Sequence, residues 1–312
     1  MATLVPPLYA GIVDDASLLP PSPTGLADAE AKFREHAGAW YAGLIGALLV
    51  PASLVGSEPL PGLAAGLIAD LPIGVLPATV EKLRAAGMVI KHVEAAVARR
   101  GEDPQPGLAR LQAFAAGEAA REAAGEAADE AAREAADEAA GQAAGEAAAH
   151  TGIRIWAEIP LSWGLLGALD TVAEARAAGL SIGPKFRVGG LAAELFPTPV
   201  ELAAVICACR DRELPFKLAA GLRHATRHTD PETGFTHHGF LNVLVATLVA
   251  VDGGEVADVA EALAATHPVP LVEPVRSHRD TVRPLFAGFG AANVVEPLTE
   301  LVRLGLINGG YE

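Results

Sequence analysis

The chain has 312 residues, 51% of them apolar, with 23 Lys and Arg against 38 Asp and Glu and a formal net charge of −15. That composition allows a large buried core and excludes a disordered polymer, and an acidic balance without basic or aromatic-interleaved stretches excludes a nucleic-acid surface. No run of about 20 apolar residues is free of charge, proline or loop signals, so no membrane span is expected. The opening MATLVPPLYAG lacks a basic region followed by an apolar stretch, which points to a cytoplasmic enzyme or binding protein, with a homo-oligomer compatible with either. Cys207 and Cys209, two apart in ICACR, diverge on a helix, and they read as free, packed thiols of a reducing compartment.

In chain order, short apolar segments read as strands: LYAGIV (8–13), GLIGALLV (43–50), PIGVL (72–76), MVIKHVE (88–94), IRIWAEI (153–159), IGPKFRV (182–188), PFKLAAG (215–221) and PLFAGFG (284–290). Between them lie helical periodicities such as DAEAKFREHAGAWYA, TVEKLRAAG, LDTVAEARAAG, TPVELAAVICACRDR and HHGFLNVLVATLVAV. Eight alternating β and α units in about 270 residues predict an α/β fold, a (β/α)8 TIM-like barrel making one domain over 1–312, with a doubly wound open sheet as the alternative.

Within that domain, 102–150 reads as a linker and a low-complexity helical insertion. RRGEDPQPG (99–107) leads into four-residue units, GEAA, REAA, GEAA, DEAA and so on, from Gly117 to Ala148. Seven Glu and two Asp face two Arg between Gly117 and His150, so this segment carries much of the acidic excess. Alanine and glutamate favour helix, but a four-residue period drifts around the axis and leaves no lasting apolar stripe. A solvated helix is the expectation.

A barrel places function at the carboxyl ends of its strands and in the loops that follow. The polar residues there are Asp14 and Asp15, Pro51 and Ser53, Glu94, Glu158, Lys185 and Arg187, Lys217 with Arg223, His224 and His228, and the turn GFGAAN. The chain has five lysines against eighteen arginines, and two of the five fall on adjacent strands. A desolvated lysine beside other cations should have a depressed pKa and serve as nucleophile or base; otherwise each lysine snorkels or pairs with a carboxylate.

The loop RHATRHTDPETGFTHHGFLN gathers His224, His228, His237 and His238. These are the alternative ligands for a divalent metal, although Pro231 and Gly234 make the stretch a loop. His238 and Asn242 share an i, i+4 relation at a helix start. Anion binding is expected at AAGLRH and GFGAAN, through Gly221 and Gly290 and with Gly190 after the sixth strand as a further candidate, where backbone N–H groups are free and Arg187 or Arg223 supplies a guanidinium fork.

PKFRVGG followed by PFKLAAGLRH resembles the paired-lysine strands of class I aldolases of the deoxyribose-phosphate aldolase type. The resemblance implies Lys185 as Schiff-base lysine, Lys217 as the neighbour lowering its pKa, and AAGLR as a phosphate turn; Arg187 stands where that family has a small polar residue. The chain as a whole is similar to an uncharacterised bacterial barrel family with YAGIVDDASLLPP and HGFLN, a likeness that implies no activity. The leading expectation is an aldolase-like lyase without a cofactor, acting on a small, anionic carbonyl compound with or without phosphate. Glu158, Asp14 or Asp15 move protons, His224 and His238 assist, and Arg187, Arg223 and Asn242 bind substrate. The alternatives are a metal-dependent isomerase or hydrolase built on the histidine loop, and a non-catalytic ligand-binding barrel. No G-x-G-x-x-G fingerprint and no serine elbow is present.

Overall fold

The computed structural model describes residues 5–20, 23–56, 61–137 and 153–309. Its strands are β1 (Val13–Asp15), β2 (Ile45–Pro51), β3 (Ala64–Ala69), β4 (Val89–Ala96), β5 (Arg154–Glu158), β6 (Ile182–Arg187), β7 (Phe216–Ala219), a small hairpin β8 (His228–Thr229) and β9 (Thr236–His237), and β10 (Phe286–Ala291). Eight of them close into a parallel barrel in the order β1-β10-β7-β6-β5-β4-β3-β2, and β8-β9 stand apart as a two-stranded sheet.

The helices are α1 (Leu26–Gly38), α2 (Leu76–Ala85), α3 (Gln105–Asp137), α4 (Leu165–Ala177), α5 (Pro199–Arg210), α6 (Phe240–Val251), α7 (Val256–Ala264), α8 (Val269–Ser277) and α9 (Val295–Arg303). Among the described residues no helix is long and apolar enough to cross a membrane.

Six barrel strands fall within a few residues of the sequence expectation; the first and third do not. LYAGIV meets its strand only at Val13, because Pro7–Tyr9 forms a 3-10 turn and Gly11 turns the chain at φ 58°, so that β1 is VDD. PIGVL is not a strand: Ile73–Val75 forms a 3-10 turn and Leu76 opens α2, with Pro77 in its first turn. The strand is AAGLIA, whose small residues carry little β-propensity of their own.

Strand alternation divides the core. On β7, Phe216 and Leu218 take the outer face while Lys217 between them enters the lumen. Phe216 stacks on Phe286 (5.6 Å between centroids), and Phe289 stacks on Phe240 of α6 (5.6 Å). Helix α6, FLNVLVATLVAV, is buried on nearly every side, as an all-round apolar helix must be. Helix α5 begins with a reciprocal capping box between Thr198 and Glu201, with Pro199 in its first turn.

Helix α3 buries Leu108, Leu111 and Phe114 against the barrel and then continues into the acidic repeat. Its first acidic unit is not solvated as expected. Glu118 is buried, with Oε2 2.6 Å from an Arg84 nitrogen at the end of α2. The repeat beyond residue 137 lies outside the described residues.

Candidate active site in the barrel lumen

The lumen holds charges where barrels usually carry branched apolar layers. Asp14, His92, Glu94, Lys185 and Lys217 are all buried there, although β1, β4, β6 and β7 contribute them from scattered parts of the chain. Lys185 and Lys217 are directly paired in the β6–β7 register, and Glu158 is paired with Lys185 in the β5–β6 register. Residues paired across parallel strands share a face, so these three point inward together.

Contacts then run in a line of alternating sign. Lys217 Nζ is ion-paired to Asp14 Oδ2 and to Glu94 Oε1. Lys185 Nζ lies 2.8 Å from Glu94 Oε2 and 2.7 Å from Glu158 Oε2. Arg187 Nε donates to Glu158 Oε1 at 3.1 Å. His92 Nε2 stands 3.2 Å from both Lys217 Nζ and Glu94 Oε1. The Ala47 N–H donates to Asp14 Oδ1 at 2.7 Å. Three carboxylates thus face two ammoniums and one guanidinium, which leaves the line neutral when His92 is uncharged.

Glycines on neighbouring strands make the room. A Cβ on Gly46 would overlap the Asp14 carboxylate, and one on Gly66 would overlap the His92 ring. Gly290 lies within β10 rather than in a turn after it, beside Asp14 in the β1–β10 register.

Proton affinities follow from this line. Burial raises the carboxyl of Glu94, but the ammoniums of Lys185 and Lys217 outweigh it and hold the group well below its ordinary value. Glu158 is lowered by the same balance, with Lys185 and Arg187 prevailing over burial. Burial pulls both lysines down; Glu94 and Glu158 lift Lys185, Asp14 and Glu94 lift Lys217, and both end above their ordinary value. The expected depression of a lysine by neighbouring cations is therefore reversed, because a carboxylate stands between the cations.

Other sequence candidates lie elsewhere. Asp15 accepts from the Ser17 N–H (2.9 Å) and serves the turn after β1. His238 is buried, its Nε2 2.8 Å from the Pro197 carbonyl oxygen, and burial drives its pKa down to about 4. The Asn242 amide donates to the carbonyls of Ala262 and Ala265 (2.8 Å each) and accepts from the Arg227 N–H (2.8 Å), so it ties the loop to α7 rather than reaching the lumen. His224 Nδ1 meets Glu300 Oε1 of α9 at 2.7 Å. His224 meets His228 edge-on (centroids 4.3 Å apart) and His228 stacks on His237 (5.2 Å), and Arg223 is exposed near them. Gly221 (φ 78°) packs against Val188 and Gly189 at the carboxyl end, whereas a Cβ on Gly190 would strike Leu195.

The four loop histidines do not form a ligand set. Among the described residues the one group of three whose ligand atoms lie within 4.8 Å of one another is Asp14, His92 and Glu94. Lys217 Nζ sits against all three, in the place a metal ion would take, and its ammonium already supplies the positive charge. His92 was not singled out from sequence, although IKHVE places it two residues before Glu94 on one strand face.

Comparison with known proteins gives no match to any family model and none to a curated protein.

Proposed function

We propose that the protein is an enzyme acting on a small carbonyl compound through Lys185, with lyase chemistry of the aldolase type. One observation carries the reading. Lys185 lies between two carboxylates on a path from the lumen to the carboxyl-end mouth, with side-chain exposure of 1% at Glu94, 8% at Lys185, 18% at Glu158 and 45% at Arg187. The amine is shielded but borders an approach, and the guanidinium at that approach suits an anionic substrate.

In this reading Glu158 takes a proton from the Lys185 ammonium. The neutral amine adds to the carbonyl carbon and the carbonyl oxygen leaves as water with the proton that Glu158 returns. The resulting iminium accepts the electron pair of the breaking C–C bond while the hydroxyl on the departing carbon gives its proton to Glu158 and becomes the second carbonyl; protonation of the enamine and hydrolysis of the imine release the other product. Lys217 pairs with the far oxygen of Glu94 and limits how strongly Glu94 holds the Lys185 proton, so its influence remains a downward one within a net upward shift.

The test is borohydride trapping with a panel of small aldehydes and ketones, with and without phosphate. The expected result is a reduced adduct on the peptide containing Lys185, lost in Lys185→Met. No adduct across the panel, an adduct that survives Lys185→Met, or stoichiometric metal in the purified protein whose removal abolishes activity would each overturn the reading.

A further inference from the structure

A second opening reaches the same line of charges from the other end of the barrel. A cavity of about 390 Å³ is walled by residues at or just before the strand starts, among them Gly11, Gly46, Arg154 and Ser181, and by the part of α3 carrying Glu118 and Glu122. Asp14, His92, Trp156 and Lys217 form its inner end. That volume suits a small molecule. The openness has a sequence cause: glycine and alanine stand at Gly11, Gly46 and Ala287, where larger side chains would plug the floor.

The charges of this cavity are unevenly satisfied. Each lining acid is engaged: Asp14 by Lys217 and the Ala47 N–H, Glu118 by Arg84 at 2.6 Å, and Glu122 by a partner of its own. The two exposed lining cations are not; among the described residues the side chain of neither Lys91 nor Arg154 forms an ion pair or hydrogen bond. Arg154 is instead held over the Trp156 ring, 5.7 Å from its centroid, an arrangement that orients a guanidinium without neutralising it. Arg176, hydrogen-bonded to the Ile182 carbonyl at 3.0 Å, adds to the positive field; burial and the Arg154 charge together lower its proton affinity.

We propose that this amino-end cavity binds a small anion, a phosphate or carboxylate compound, held by Arg154 and Lys91 at the mouth opposite Arg187. The site is separate from the carboxyl-end approach and stands whether or not Lys185 forms an imine. Its inner wall is His92 and Lys217, so an occupant would lie against the same line of charges that ends at Lys185.

Calorimetric titration of the full chain with inorganic phosphate and with succinate, at constant ionic strength, tests this. The expected result is saturable binding of at least one anion to the wild type, weakened roughly tenfold or more in Arg154→Ala and also weakened in Lys91→Ala, as loss of a charge-assisted contact requires, and unchanged in Arg187→Ala. Phosphate without succinate assigns a phosphate compound, and the reverse a carboxylate. Both cavity substitutions are at exposed positions, and an unshifted melting temperature without anion confirms that they fold. No saturable heat from either anion up to about 10 mM, an affinity well below functional range, overturns the proposal. So does binding that Arg187→Ala abolishes while Arg154→Ala leaves it intact.

Discussion

Glu94 divides its carboxylate between two lysines, with Oε2 2.8 Å from Lys185 Nζ and Oε1 ion-paired to Lys217. Two buried ammoniums thereby depend on one side chain. Glu94→Gln leaves two ammoniums without their shared partner, and breaking a buried pair in this way costs about 3–5 kcal/mol. Urea unfolding should show a loss of that size, and Glu94→Gln with Lys185→Met should recover part of it by restoring charge balance. A single-variant loss below about 1 kcal/mol, the range of exposed pairs, would mean that the lumen is wet and the line of charges carries little energy.

The same contacts set the pH range of stability. Glu94 and Glu158 have lowered pKa values in the folded state, so their contribution is present above the unfolded carboxylate range of about 4.3 and is lost as pH falls through the folded values. Lys185 and Lys217 are raised, so theirs is present below about 10.4 and is lost as pH climbs through the folded values. Unfolding free energy against pH should give a plateau between these limits with falling limbs on both sides. In Glu94→Gln the acid limb should flatten, and an unchanged acid limb would assign acid sensitivity to other groups.

The barrel was legible because six strands are short apolar runs bounded by turns, with helical periods between most of them. The third failed for a physical reason: AAGLIA owes its place to pairing with β2 and β4 rather than to propensity, while PIGVL looked extended but is captured by a helix start. The lysines were legible as rare residues on adjacent strands. Their charge state was not, because it depends on Glu94 and Asp14 crossing the lumen from β4 and β1. His92 was readable in principle from its spacing to Glu94, but a lone histidine on a strand carries no signal until Gly66 opposite is known to make room for it. His238 and Asn242 misled because a polar residue buried to tie down a loop has the same sequence appearance as one facing a ligand.

The room for the lumen charges is itself testable. Gly46 and Gly66 have no positive φ, so alanine is conformationally allowed at both, yet its methyl would overlap Asp14 or His92. Each alanine variant should be destabilised by about 1–3 kcal/mol, as overpacking of a filled interior requires. Gly74→Ala, where nothing lies within 4 Å of the new methyl, should stay within about 0.5 kcal/mol of the wild type. Thermal denaturation of the three variants checks this, and equal stability of all three would show that Asp14 and His92 have space to move aside.

Two substitutions on either side of Lys185 should move its chemistry in opposite directions. Glu158→Gln removes a carboxylate 2.7 Å from the ammonium and lets burial pull the amine down. Lys217→Met removes a cation that competes for Glu94, so Glu94 then holds the Lys185 proton more firmly. Imine trapping needs the neutral amine, and its rate follows the deprotonated fraction. Against the wild type, the rate-versus-pH midpoint should fall in Glu158→Gln and rise in Lys217→Met, by about one unit or more for contacts this close. Glu158→Gln also removes the proposed proton acceptor, so its maximal rate should drop even as its midpoint moves to lower pH. Midpoints that move in the same direction would show that the two groups act on Lys185 through packing rather than through charge.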